Sequence, residues 1–430
     1  MTVLTVEGGR PLRGRLRVPG DKSISHRALL LAARAEGTSQ VRGLSDGDDV
    51  RRTATAMQAM GAILEGDRIS GGSGRLHEPE HVVDVGNSGT GIRLLAGYVA
   101  AFDWLTVLQG DESIARRPMD RIAEPLRQMG AHVDGRQDGS YPPLTIRGGH
   151  LRGIDYTLPV ASAQVKSCIL LAGIDAEGET VVREPVATRA HTEEMLAACG
   201  ADITVDVDSD SDGGGEGAGA TVVRLRASKL EPFDLDVPGD PSQAAFWVVA
   251  ACIVPGSDLV VENVYTGRAR AGFVEVLVRM GADVEIDGGD IHARYSPSLH
   301  GTDVGGTEVA GLIDEIPVLA VAAAVADGTT TFRDAAELRV KETDRVVTTE
   351  HLLHAVGARA EPMGDGIVVH GRPGRLRAGV IESHGDHRIA MAGAIAGLAA
   401  AAGDLTRVEG WEAVATSYPA FEEDLRQCVS

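Results

Sequence analysis

One element recurs along this chain and limits what it can fold into. It is an amphipathic stretch of helical period that stops at a Gly-Ala pair and continues as a β-like run. The copies read AMQAMGAIL, PLRQMGAHVD, MLAACGADITV, VLVRMGADVEI and HLLHAVGARAE. Their glycines are Gly61, Gly130, Gly200, Gly281 and Gly357, at intervals of 69, 70, 81 and 76 residues. Glycine just past the last apolar turn marks a left-handed helix stop, a conformation that strains other residues. A sixth copy, AFEEDLRQCV, lacks the pair. A second recurring element is apolar on all sides: RALLLAARAEG, RLLAGYVAAFD, CILLAGIDAEG, FWVVAACIVPG, VLAVAAAVADG and IAMAGAIAGLAAAAG. A helix without a polar face must be enclosed. Coincidence among Ala-rich helices is the alternative, and five regularly spaced stops count against it.

Six such units, each with a buried helix, a surface helix and short strands, predict an α/β (α+β) chain of two domains with three units apiece. At 430 residues the chain is also too long for one ordinary core. The expected domains are 20–238 and, split around it, 1–19 plus 239–430, with crossings near Pro19-Gly20 and Pro238-Gly239. The longest interval contains an acidic, Gly-rich insertion, DVDSDSDGGGEGAGA at 206–220, which reads as a flexible hairpin tip without chemistry.

Aromatic residues are only 3% of the chain, so the core must come from Ala, Val, Leu and Ile at close range. The formal net charge of −21 argues against nucleic acid, whose binding needs a basic face. Small anionic substrates remain possible, because surface carboxylates are screened beyond about 8 Å at physiological salt. Cys168, Cys199, Cys252 and Cys428 show no C-x-x-C spacing and read as reduced thiols, not nucleophiles. The start MTVLTVEGGR has no secretory pattern, and the apolar runs near 316–326 and 389–402 are shorter than a membrane span. The expectation is a cytoplasmic protein acting as a monomer.

Chemistry concentrates just before the apolar helices, in DKSISHR, GNSGTGIR, ASAQVKS, GDPSQ, IDE and GDHR. A helix start carries unpaired N–H groups and partial positive charge, so it attracts anions. Each motif alone has a plain reading as well. GNSGTG can be a helix cap, Lys22 with Arg27 a solvated pair, and Arg93 or Arg117 a surface ion-pair partner. Asp314 and Glu315 can simply complement a helix dipole. The segment LRVKETDR, 338–345, crowds four charges between a strand-like run and the next helix.

Taken in order, the motifs resemble the 5-enolpyruvylshikimate-3-phosphate synthase family of enolpyruvyl transferases. The resemblance runs through VPGDKSISHR (18–27), GNSGTGIR (86–93), RRPMDR (116–121), ASAQVKS (161–167), TRAHTE (188–193) and PGDPS (238–242). It continues in IDEIPVLAVAAA (313–324), ELRVKETDR (337–345), GDHRIAM (385–391) and ATSYP (415–419). It implies an inside-out α/β barrel of six βαβαββ repeats, three per domain, with the active site between the domains.

The implied reaction moves the enolpyruvyl group of phosphoenolpyruvate onto shikimate 3-phosphate and needs no metal or other cofactor. By the same resemblance, Lys22, Ser23, Arg27, Ser162, Ala163, Gln164, Arg189, Asp314 and Lys341 bind shikimate 3-phosphate. Ala163 stands where other members have a second serine. Lys22, Asn87, Gly89, Thr90, Arg93, Arg117, Gln164, Arg345 and Arg388 fall on the phosphoenolpyruvate side. Asp314 corresponds to the hydroxyl base, Glu342 to the acid–base group at the methylene, and Lys22 to the cation at the leaving phosphate. Many members carry a Lys before the aromatic-Pro pair, where this chain reads Thr416-Ser417-Tyr418-Pro419; the SAQVKS-type branch also lacks it. The family's phosphonate inhibitor glyphosate occupies the phosphoenolpyruvate site, and Gly89 stands where tolerant relatives carry Ala. The rivals are a UDP-N-acetylglucosamine enolpyruvyl transferase, a transferase for a specialised acceptor, and a non-catalytic paralogue. The first normally has a reactive Cys in the loop matching 112–121, and none is present here.

Overall fold

All five Gly-Ala pairs are helix stops of one geometry. The glycines take positive φ, +97° at Gly61, +108° at Gly130, +79° at Gly200, +90° at Gly281 and +79° at Gly357. In each case the alanine N–H reaches back to a carbonyl five residues earlier: Ala62 to Met57, Ala131 to Leu126, Ala201 to Leu196, Ala282 to Leu277 and Ala358 to Leu353, at 2.9–3.0 Å. The glycine N–H bonds the carbonyl three residues back, as Gly130 does to Arg127 at 3.0 Å. This double bond pattern satisfies the last carbonyls of a helix, and it requires the left-handed residue that glycine supplies.

The computed structural model describes residues 2–207, 220–267, 270–374 and 376–429. The chain divides into a continuous unit, Lys22–Val237, and a split unit, Met1–Asp21 with Pro238–Ser430. The described residues form six small sheets, five of four strands in one common order and a sixth of three strands. In the continuous unit, Leu105–Gln109 pairs parallel with Val83–Asp84 and antiparallel with Tyr141–Arg147, which in turn pairs with His132–Gly135. The sheet of Glu179–Glu184 repeats this order with Asp155–Thr157, Thr221–Arg226 and Ile203–Val207. The insertion read as a hairpin tip falls mainly on 208–219, outside the described residues; the strands on either side of it are antiparallel partners.

Both units are closed by strands far away in sequence. Thr38–Arg42 takes its parallel neighbour from Asp234–Asp236. In the split unit, Asp258–Val261 takes its own from Arg13–Leu16, and Leu405–Glu409 is paired by Val3–Glu7. The Pro19-Gly20 and Pro238-Gly239 pairs both lie in the split unit, where Gly20 and Gly239 form a bridge.

The apolar helices are enclosed as their sequences require. In the continuous unit they are Lys22–Arg34, Gly89–Ala100 and Ala163–Gly173, and in the split unit Pro241–Ile253, Ile316–Val325 and His387–Leu398. Every residue of Pro241–Ile253 is buried. Small residues set the approach: a Cβ added to Gly97 would lie 2.1 Å from the Cys168 carbonyl oxygen of the neighbouring helix. Gly97→Ala should therefore force the two helices apart, at a cost of about 1–3 kcal/mol. A lowered unfolding midpoint in guanidinium would show it, and an unchanged midpoint would refute the close-packing account.

The scarce aromatics cluster in each unit: Phe102 stacks on Trp104 at 4.1 Å beside Tyr98 in the continuous one, and Trp247 on Phe421 at 4.8 Å beside Tyr418 and Trp411 in the split one. All four cysteines are buried. Burial pushes the thiols of Cys168, Cys199 and Cys252 up to about 12 and that of Cys428 to about 11, so they stay protonated near neutral pH. Among the described residues no helix is long and apolar enough to cross a membrane.

Candidate active site

The motif residues form two clusters, one in each unit. In the continuous unit the three buried helices bring their first turns together. Arg27 donates to Thr192 Oγ1 and Ser167 Oγ, each at 2.6 Å, and to the Ser23 carbonyl at 2.8 Å. Arg93 donates to Gln164 Oε1 at 2.9 Å and to the Gly89 carbonyl at 3.0 Å, while Gln164 donates to Thr90 Oγ1 at 3.0 Å. Arg117 lies 3.4 Å from both Asn87 Oδ1 and Ser113 Oγ. Ser88 caps the Gly89 helix and Ser162 the helix that begins at Ala163. The plain cap reading of GNSGTG is thus correct for Ser88, and its neighbours carry the cationic surround. Arg189 lies half-buried in the segment after strand Glu179–Glu184.

None of these three helices has an acid in its first turn, whereas the surface helix Asp48–Ala59 opens with Asp48 and Asp49. No acid of their own meets the dipoles at these starts. Gly89 leaves room for two guanidiniums beside it. A Cβ there would sit 2.4 Å from Arg117 Nη1 and 3.2 Å from Arg93 Nη1. Lys22 is held at 2.6 Å by the buried carboxylate of Asp49, a partner that motif reading missed. His26, bonded to Thr53 at 2.8 Å, is buried between two cations. Burial first, then Lys22 and Arg27, hold its pKa well below the ordinary value, so it is neutral.

The split unit gathers carboxylates around one guanidinium. Arg345 is buried and every nitrogen of its head is engaged. Nε donates to Asp386 at 2.8 Å, Nη1 to Asp314 at 3.2 Å, and Nη2 to Glu342. Burial works to lower the Arg345 pKa, but Asp386, Glu342 and Asp314 together raise it above the ordinary value. Asp386 is itself fully buried; burial would raise it, yet Arg345 outweighs that and holds it down. It caps helix His387–Leu398 by accepting from the Arg388 N–H at 2.9 Å. Arg388 also donates to the Asp314 carbonyl at 3.2 Å, and Lys341 Nζ lies 3.4 Å from the Asp314 carboxylate. Asp314 and Glu342 keep 16% of their side-chain surface open while Arg345 keeps 1%. The two carboxylates can therefore meet a ligand, and Arg345 acts here as their common clamp.

Two local expectations change. The run before Lys341 is a 3-10 turn, Ala336–Val340, not a strand. Glu315 bonds Ser242 instead of serving only the helix dipole. Ser242 belongs to a buried network in which Arg270 joins Asp21 and Asp240, each at 2.8 Å. Asp49 and Arg270 were invisible as site residues because a single acid or base gives no sign of being buried. Asp386 had a positional signal, since it sits at a helix start within GDHR. Among the described residues no group of three or more His, Cys, Asp or Glu side chains is placed to hold a metal ion.

The fold is one found in enolpyruvyl transferases. NikO from Streptomyces tendae, an enolpyruvyl transferase, superposes with a TM-score of 0.78 over 99% of this chain and 97% of its own at 19% identity, a likeness of fold alone. EPSP synthase from Acinetobacter baumannii reaches a TM-score of 0.84 at 41% identity, covering 99% of this chain and 98% of that one. Residues 6–425 match the sequence profile of EPSP synthase, 3-phosphoshikimate 1-carboxyvinyltransferase. The 3-phosphoshikimate 1-carboxyvinyltransferase of Bacillus thuringiensis subsp. konkukian (strain 97-27) is 45% identical over 99% of this chain and 98% of its own. That of Synechococcus sp. (strain JA-3-3Ab) is 46% identical over 100% and 97%. The chain belongs to the EPSP synthase family and is an enzyme of the transferase class.

Proposed function

We propose that the protein transfers the enolpyruvyl group of phosphoenolpyruvate to the 5-hydroxyl of shikimate 3-phosphate with release of phosphate. The observation that carries this reading is the carboxylate pair Asp314 and Glu342, fixed on one guanidinium yet open to a ligand. Addition–elimination needs such a pair. Asp314 takes the proton from the attacking hydroxyl while Glu342 delivers one to the vinyl methylene. A carbon–oxygen bond forms and gives a tetrahedral phosphoketal. Loss of a methyl proton back to Glu342 then expels phosphate, whose charge Lys22 meets.

The cationic helix starts of the continuous unit suit the anions of both substrates. Arg27, Arg189, Ser23, Ser162, Ala163 and Gln164 are assigned to shikimate 3-phosphate, with Lys341 contributed from the split unit. Asn87, Gly89, Thr90, Arg93 and Arg117 are assigned to phosphoenolpyruvate, with Arg345 and Arg388 from the split unit. The acid–base pair belongs to the split unit, and the assigned ligands are drawn from both units. The barrel of six repeats, action as a monomer in the cytoplasm, and turnover without a metal complete the proposal. Phosphate release should be rapid with shikimate 3-phosphate plus phosphoenolpyruvate and absent with UDP-N-acetylglucosamine. The reverse preference would overturn the acceptor assignment, and no release with either acceptor would favour a non-catalytic paralogue.

A further inference from the structure

Lys166 lies inside the ASAQVKS motif but points away from the chemistry, into the interior of the continuous unit. It is fully buried, and its ammonium lies 2.7 Å from Glu184 Oε2 and 2.6 Å from Glu193 Oε1. Glu184 ends the strand Glu179–Glu184, and its other oxygen accepts from Thr188 Oγ1 at 2.5 Å. Glu193 lies in the first turn of helix His191–Ala198, and its Oε2 is buried without a hydrogen-bond partner. Two carboxylates thus share one ammonium in the interior, where loss of either kind of partner would leave a charge that is costly to bury.

What lies beside this cluster gives it a task. Ser167 follows Lys166 on one helix, and Thr192 precedes Glu193 on the other. Those two hydroxyls meet at 2.7 Å, and both accept from Arg27. The Lys166–Glu193 contact therefore runs alongside the pair that aims Arg27. The segment between Glu184 and Glu193 is tied down at Thr188, and Arg189 is the next residue.

We propose that Lys166, Glu184, Glu193 and Thr188 form a buried positioning cluster that sets Arg27 and Arg189 for the acceptor substrate. This rests on the reading of those two arginines as shikimate 3-phosphate ligands. Burial raises the Glu193 pKa, with Lys166 opposing, which fits a carboxyl that can hold a proton on its unpartnered oxygen. The cluster touches no reacting atom. It acts through distance, by fixing where two guanidiniums stand.

Removing Lys166 outright would leave two buried carboxylates and risks an unfolded protein, so the test uses milder changes. Thr188→Val keeps the shape and deletes one bond, and Glu193→Asp shortens one arm. Each should raise the KM for shikimate 3-phosphate by roughly ten- to a hundred-fold, the loss expected from displacing a binding group by about 1 Å. The KM for phosphoenolpyruvate and the melting temperature should move little. Glu193→Gln, of full length, should recover most of the loss seen with Glu193→Asp. An unchanged acceptor KM in folded Thr188→Val and Glu193→Asp would overturn the proposal. So would a parallel rise in both KM values, the mark of a merely structural role. A wild-type enzyme that turns over another acceptor, with that acceptor's KM shifted by the variants, would fault the acceptor assignment and leave the positioning role standing.

Discussion

Asp314→Asn and Glu342→Gln should each lower turnover by roughly two orders of magnitude or more, while shikimate 3-phosphate binding changes far less. The magnitude is that of a positioned proton-transfer group, and both substitutions preserve shape. The structure sharpens the expectation. Both carboxylates hang on Arg345, so neutralising one leaves the guanidinium still held by the other and by Asp386. The cluster should survive, and the loss should appear in kcat. Steady-state kinetics with calorimetric binding of shikimate 3-phosphate would separate the two effects. Near-normal turnover in Asp314→Asn would remove Asp314 as the base.

Glyphosate should inhibit the wild-type enzyme in competition with phosphoenolpyruvate, and Gly89→Ala should relieve that inhibition. The new methyl would sit 2.4 Å from Arg117 Nη1, closer than atoms tolerate, so the guanidinium must swing away. Two of its bonds, to Asn87 and Ser113, are long at 3.4 Å. The substitution thus works on the cation as well as on the space beside the ligand. Overpacking of about 1–3 kcal/mol corresponds to roughly five-fold to more than a hundred-fold in inhibitor binding. The longer inhibitor should lose more than the substrate does, and the phosphoenolpyruvate KM should still rise. Inhibition curves at fixed phosphoenolpyruvate decide the matter, and a wild type already insensitive to glyphosate would sink the idea.

The parts of the fold legible in the sequence were those governed by local chemistry. Each Gly-Ala stop is encoded within six residues, by an apolar helix face and one glycine with positive φ. The enclosed helices were equally plain, because nothing on their surfaces could face water. Strand pairing was different. Nothing in Arg13–Leu16 or Asp234–Asp236 announces which sheet it joins, since parallel partners are chosen by the folded unit and not by their neighbours. At the site, residues before helix starts were readable from position and charge. Lys166 was not, because a charged residue in an apolar helix looks the same whether it snorkels to solvent or meets two buried glutamates. Arg345 was legible as a site residue from its charge, whereas its bonds to Asp314, Glu342 and Asp386 were not.

The split unit also carries a consequence for synthesis. Its sheet at Leu405–Glu409 is completed by Val3–Glu7, and its sheet at Asp258–Val261 by Arg13–Leu16. A ribosome delivers Val3–Glu7 and Arg13–Leu16 before the continuous unit and their mates after it. The continuous unit, Lys22–Val237, leaves the tunnel whole in between. At about 5–20 residues per second, the opening strands then wait tens of seconds for their mates. No order of translation lets the split unit close first, so the cationic cluster of the continuous unit is finished before the carboxylate cluster around Arg345 exists.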